Sequence, residues 1–174
     1  MLEVYNGNNF EEIYYIMKKS FPKSEIRSKK GQEELLKDKR YKLFCYKKEG
    51  TLVGILCVWH ITAGYFLEHF AVLPEFRGKG IGFNMLKEFI AFAKDSKSIF
   101  LEAEPIVDEI TLRRINFYKR SGFYLNGYEY CQPSFGPSLP EVPLKIMTYG
   151  KAVNEEEFLE IKRSVYTEVY NKKI

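Results

Sequence analysis

The run Arg77-Gly78-Lys79-Gly80-Ile81-Gly82 is where residue type and spacing first point to chemistry. Glycines let a backbone adopt positive φ and approach a ligand closely, so successive N–H groups at a helix start can point at phosphate oxygens. Arg77 and Lys79 place two cations in the same segment. Spacing excludes two common phosphate-binding patterns. A Walker loop needs Ser or Thr after Gly-Lys, where Gly80 stands, and a dinucleotide fingerprint needs glycine where Phe83 stands. A plain structural turn that binds nothing is the remaining alternative to a phosphate cradle.

The elements that must hold this run are legible from hydrophobic period and turn residues. Residues 2–5 read as a short strand. Asn9, with Glu12 three residues on, reads as the capped start of a helix whose Phe10, Ile13 and Met17 recur at helical spacing until Pro22. A loop over 21–27 and a short helix over 31–38 follow. Residues 41–46 and 51–61 are rich in β-branched and aromatic side chains and are joined by the turn Lys47-Lys48-Glu49-Gly50. Residues 65–72 form a fourth strand that Pro74 ends, so the glycine run lies between a strand and a helix, whose inner stripe is expected at Phe83, Leu86, Ile90 and Ala93. A fifth strand is expected over 98–103. Asp108 is placed to cap the next helix, with Leu112, Ile115 and Tyr118 inward and Gly122 in the left-handed position after its last turn. Strands over 124–130 and 143–149, joined by a Pro/Gly loop over 133–140, precede a final helix from about Glu155. That helix puts Phe158, Ile161, Val165 and Val169 on one face, with acids at its start and Lys172-Lys173 at its end.

Composition narrows the class. At 174 residues and 45% hydrophobic, the chain is expected to form a single domain over 1–174. The net charge of +4 comes from 27 basic against 23 acidic residues, scattered rather than clustered, which argues against a nucleic-acid partner. Cys45, Cys57 and Cys131 form no CxxC pair, and His60 and His69 lack zinc spacing, so a reduced chain without metal is expected. No apolar run suits a membrane span and the first residues do not resemble a secretory signal, so a cytoplasmic protein is expected. The final helix can cover its own sheet or meet a second copy, leaving monomer and homodimer both open.

Taken together, the motifs resemble the GNAT superfamily of acetyl-CoA-dependent N-acetyltransferases. That family's acyl-CoA signature, Arg/Gln-x-x-Gly-x-Gly/Ala, is met by Arg77, Gly80 and Gly82. Phe70-Ala71-Val72-Leu73-Pro74 is similar to the strand that precedes it, and Asn116-Phe117-Tyr118-Lys119-Arg120-Ser121-Gly122-Phe123 to the family's helix-to-strand ending. The resemblance runs from about Phe10 to Tyr130. It implies an α/β fold with a central mixed sheet of about seven strands, splayed between strands 4 and 5 and flanked by helices, here with a C-terminal helix. It also implies acetyl-CoA as cosubstrate, no metal, pantetheine along Phe70, Ala71 and Val72, and the pyrophosphate on Arg77, Gly78, Lys79, Gly80, Ile81 and Gly82. One departure stands out: many relatives carry a CoA-contacting asparagine where Thr111 stands, and Glu104 to Glu109 lengthen the link before this helix.

Direct attack by an amine on a thioester needs a neutral nucleophile, a stabilised oxyanion and a protonated leaving thiolate. An alkylammonium titrates near ~10.4, so a carboxylate or a water chain must take its proton. The Phe70 N–H is a candidate oxyanion donor. The resemblance implies Tyr118 as general acid and either Glu102 or Glu68 as base. Alternation places Glu102 and Glu104 on one strand face. Glu102, Glu104, Asp108 and Glu109 form an acidic stretch that suits a cationic acceptor, a small amine or a peptide or protein amine, and equally suits helix capping. Glu25, Glu104 and Tyr128 are the acceptor-side candidates. From another class, the alternative is a catalytically inactive acyl-CoA-binding module used for sensing or interaction.

Overall fold

The computed structural model describes residues 1–134 and 140–172. Most of the Pro/Gly loop expected over 133–140, and Lys173 of the C-terminal basic pair, lie outside the described residues. Five α-helices and eight strands are present among them. The strands are β1 (Leu2–Val4), β2 (Tyr41–Lys48), β3 (Thr51–Ile61), β4 (Gly64–Val72), β5 (Ile99–Ala103), β6 (Phe123–Leu125), β7 (Tyr130–Gln132) and β8 (Val142–Tyr149). The helices are α1 (Phe10–Ser20), α2 (Lys29–Leu35), α3 (Ile81–Phe92), α4 (Glu109–Arg120) and α5 (Glu155–Ser164). The sheet is mixed and open, in the order β1-β2-β3-β4-β5-β8-β6, with β7 also on β8. The chain divides into two units, residues 1–60 with 67–94 and residues 61–66 with 95–174.

In the first unit, β1 and β3 flank β2 in antiparallel register, with Glu3 opposite Cys45 and Cys45 opposite Ile55. β3 is buried continuously from Val53 to Trp59, as a strand covered on both faces must be. Phe44 of β2 meets Phe89 and Phe92 of α3 edge-on at 5.7 and 5.4 Å, so α3 covers one face. The inner residues of α3 are Ile81, Met85, Leu86 and Phe89, and Ala93 just beyond is buried too, whereas Phe83, expected inward, is 47% exposed. An extra apolar residue on the outer face had biased the expected stripe. Asn9 precedes α1, but with φ 56° and no capping bond; its side-chain amide donates to the Glu12 carboxylate instead. α2 starts earlier than expected because Ser28 Oγ accepts from Gly31 N at 3.1 Å.

In the second unit, Tyr65 N donates to Ser98 O at 2.9 Å, tying the first residues of β4 to the approach of β5. β8 pairs with β5 along one edge and with β6 and then β7 along the other. The strand expected over 124–130 is therefore two strands, not one. The break falls at Asn126, whose buried side chain donates to Ile146 O and Thr148 Oγ1, both at 3.1 Å, and accepts from Val153 N at 3.0 Å. A side chain that bonds three groups in this way satisfies backbone that a continued ladder would have paired. Of the residues expected to face inward on α4, Ile115 and Tyr118 are buried and Leu112 is 41% exposed; Thr111 takes the inner place. Gly122, at φ 91°, lies where an added Cβ would stand 2.7 Å from the Tyr149 ring. Phe158, Ile161, Val165 and Val169 are all buried, as their spacing predicts. Among the described residues no helix is long and apolar enough to cross a membrane, and no three His, Cys, Asp or Glu side chains gather to hold a metal ion.

Candidate active site

The end of β4 feeds a single 3₁₀ turn, Pro74–Phe76, and then the glycine run. Arg77 Nε donates to Val72 O at 2.8 Å, and Lys79 Nζ donates to Glu75 O at 3.0 Å while lying over the Phe76 ring. Both cations thus brace the loop that carries them. Gly78 and Gly80 sit at φ 74° and 77°, and a Cβ on either would meet no atom within 4 Å. Backbone conformation, not crowding, requires glycine there, and the space above both is open. Gly80 occupies the position before α3, and no side chain caps this helix. Its first-turn N–H groups are therefore left without a side-chain acceptor at the positive end of the helix dipole, the physical requirement for holding a phosphate. Upstream on β4, Ala71 is buried, and Phe70 and Val72 are half-buried.

The N-terminus of α4 is the opposite case. Asp108 Oδ1 accepts from Thr111 N at 2.8 Å, and Thr111 Oγ1 accepts from Asp108 N at 3.1 Å and Val107 N at 3.0 Å. This reciprocal cap closes the helix start, and the backbone and side-chain hydrogen bonds from Thr111 hold the Asp108 carboxyl below its ordinary range. It gives a physical reason for threonine at this position: Thr111 serves the longer link before α4.

Glu68, one of the two base candidates, is a buried ion-pair partner. Arg27 Nη1 donates to its Oε1 at 2.6 Å and Trp59 Nε1 to its Oε2 at 3.1 Å, and the His69 ring lies 3.5 Å away. Burial opposes its ionisation, but Arg27 and His69 outweigh burial and bring its pKa down to about 2. A carboxylate so low is a feeble base near neutrality. His69 Nε2 in turn donates to Glu25 O at 2.8 Å, and its ring meets Phe21 edge-on, so the turn carrying Glu25 is pinned to β4. Trp59 and Arg27 escaped the sequence reading. Trp59 was accessible in principle, because a hairpin between the third and fourth strands brings it near Glu68. Arg27 stands 41 residues away in a loop and carried no signal.

In the second unit, Glu102 on β5 accepts hydrogen bonds from the Tyr130 hydroxyl and, at 2.9 Å, from the Tyr170 hydroxyl. Glu104 pairs with Arg114 of α4, and Glu109 with Arg113 at 3.2 Å. Two acids of the expected stretch, Glu104 and Glu109, are thus paired with arginines, and Asp108 is engaged as a cap. Tyr128 stacks on Phe158 at 4.7 Å, which accounts for it as packing. Tyr118 is 8% exposed, with its ring edge-on to Phe123 at 5.9 Å. Burial pushes its hydroxyl up to about 12 against the opposing pull of Arg114, so the proton stays on throughout the neutral range. Tyr170 was not anticipated; it lies 68 residues from Glu102.

A mixed α/β sheet whose fourth strand leads into an uncapped, glycine-led helix defines the class of fold. The chain belongs to the acetyltransferase (GNAT) family, whose family model matches residues 10–123. It is an acetyltransferase by family. No curated protein sequence matches it. Among solved structures, it is similar to a Bacteroides thetaiotaomicron protein described as a GNAT-family acetyltransferase, with a TM-score of 0.88, 27% identity and 99% of each chain covered. The ribosomal-protein-alanine N-acetyltransferase of Brucella melitensis shares the fold at a TM-score of 0.66 and 16% identity, covering 85% of this chain and 98% of that one. So does a GNAT-family acetyltransferase of Elizabethkingia anophelis with acetyl-CoA bound, at 0.62 and 15%, covering 86% and 96%.

Proposed function

We propose that the chain moves an acetyl group from acetyl-CoA to a primary amine, on a small cation or on a peptide or protein, by direct attack in a ternary complex. The observation that carries this reading is the uncapped start of α3, with Gly78 and Gly80 at positive φ under open space. Arg77 to Gly82 would take the pyrophosphate there, and the Elizabethkingia relative with acetyl-CoA bound supports that cosubstrate. The strand end at Phe70, Ala71 and Val72, half-buried on either side of a buried alanine, suits the extended pantetheine arm, which needs backbone partners.

In the reaction, the amine nitrogen attacks the thioester carbonyl carbon, the N–C bond forms, the C–S bond breaks and the thiolate leaves. Glu102 is our candidate for the base that takes the amine proton. Glu68 is set aside because its two oxygens are engaged by Arg27 and Trp59 and its pKa is about 2. The Phe70 N–H is assigned to the developing oxyanion. Tyr118 donates to the departing sulfur. A thiol titrates near ~8.5, well below the Tyr118 value of about 12, so outright transfer from the phenol is uphill. Its contribution is a hydrogen bond that strengthens as charge builds on sulfur.

The test is thiol release from acetyl-CoA with a panel of primary amines, run on the wild type and on Tyr118→Phe. Release with at least one amine is expected, and Tyr118→Phe should lower kcat by roughly 10²-fold while leaving acetyl-CoA affinity unchanged. Full turnover by Tyr118→Phe would remove that residue from the chemistry. Tight binding of acetyl-CoA with no release from any amine would leave the chain a binding module.

A further inference from the structure

The C-terminal segment lies wholly beyond residues 10–123, which the family model matches. α5 is regular from Glu155 to Ser164 and then widens into a π-helical turn, Val165–Val169, closed by Tyr170 N donating to Val165 O at 3.2 Å. A wider turn changes the phase at which side chains leave a helix. Val165, Tyr166 and Val169 are all buried in it. Lys172 N then donates to Tyr166 O at 2.8 Å and ends the segment. Two hydroxyls are aimed by this geometry: Tyr166 Oη donates to Cys131 O at 2.6 Å, and Tyr170 Oη reaches Glu102 Oε2 at 2.9 Å and Oε1 at 3.3 Å.

The segment is seated at specific points within its unit. Ser164 Oγ accepts from Ala63 N at 3.1 Å, and Glu168 accepts from Thr62 N at 3.1 Å and from Ser164 Oγ at 2.8 Å. Tyr130, whose ring meets Tyr166 edge-on at 5.7 Å, donates to the same carboxylate from β7. The groups that meet Glu102 include Tyr130 from β7 and Tyr166 and Tyr170 from the C-terminal segment. On β8, Lys145 stands opposite Ala103 but turns its ammonium to Glu129 at 3.0 Å.

We infer that Tyr170 is a positioning residue for Glu102, delivered by the π-helical turn to hold that carboxylate, together with Tyr130, in one orientation for the acceptor amine. The inference rests on Glu102 being the base. A carboxylate that rotates freely offers its lone pair to the amine only part of the time, whereas one fixed by two hydroxyl donors keeps it aimed. A hydroxyl that donates to a carboxylate favours its ionised form.

Tyr170→Phe removes the hydroxyl and keeps the ring that packs, so the fold should survive. Two measurements test it. In the protein without substrates, carbon-13 carboxyl titration should show the Glu102 pKa rising by about one unit in Tyr170→Phe, because a donor to the charged form is gone. In the thiol-release assay, kcat/KM for the amine should fall roughly tenfold, with its acid limb moved to higher pH and the KM for acetyl-CoA unchanged. In a Glu102→Gln background, Tyr170→Phe should cost nothing further. An unmoved titration, or a loss that adds fully to that of Glu102→Gln, would overturn the positioning role. Wild-type turnover by Glu102→Gln would instead overturn the base assignment beneath it, and the titration tells the two failures apart.

Discussion

Glu68 and Glu102 are strand carboxylates, one in each unit, and they are opposites. Glu68 is closed in by a guanidinium at 2.6 Å and an indole N–H at 3.1 Å, and its proton is lost at about 2. Glu102 is half-buried and takes hydrogen bonds from two phenols, Tyr130 and Tyr170, which orient it. A carboxylate paired with a buried guanidinium is held as a structural charge, whereas hydroxyl donors fix the direction in which a carboxylate points. The starts of α3 and α4 repeat the contrast. Asp108 and Thr111 seal one, while Gly80 leaves the other without a side-chain cap.

The largest test of this contrast is Arg27→Ala. Leaving Glu68 charged and buried without its cation should destabilise the fold by about 3–5 kcal/mol, read by chemical denaturation. A loss below about 1 kcal/mol, the range of surface pairs, would mean that Glu68 is not a structural anchor.

Next in size is the acid limb of stability. The folded pKa of Glu68, about 2, lies below the unfolded value of ~4.3. The unfolded chain therefore binds the proton first as pH falls. Stability from this group is complete above ~4.3 and lost as pH drops toward 2, a total of roughly 3 kcal/mol. Glu68→Gln should flatten that part of the stability–pH curve, and an unchanged slope would break the assignment.

Glu102→Gln sharpens the other half. It should lower kcat/KM for the amine by roughly 10²-fold and barely move Tm, while Glu68→Gln should act mainly on stability. Equal kinetic losses in the two variants would collapse the distinction. The smallest effect is expected at the α4 start. Thr111→Val leaves the Val107 and Asp108 N–H groups without their side-chain acceptor and should cost ~1 kcal/mol with acetyl-CoA affinity intact; a selective loss of affinity would make Thr111 a ligand contact instead.

Much of the fold was legible because local signals agreed with tertiary packing. Asp108 caps where expected, Gly122 takes positive φ, and Phe158, Ile161, Val165 and Val169 share the buried face. The misreadings have specific causes. Phe83 and Leu112 are apolar residues at helical spacing that the fold leaves exposed, which periodicity cannot distinguish from core. The strand over 124–130 broke because Asn126 found partners around residues 146–153, too far along the chain for any local window.

By itself, the sequence determined the glycine-led helix start, the strand before it and the family likeness, because backbone conformation and capping are set by neighbouring residues. It supplied Glu68 and Glu102 as equal candidates. Only tertiary structure separated them, since the partners that decide a carboxylate's charge and orientation, Arg27 for one and Tyr170 for the other, stand 41 and 68 residues away. Electrostatic environment depends on distance in space, and no spacing along a chain encodes it.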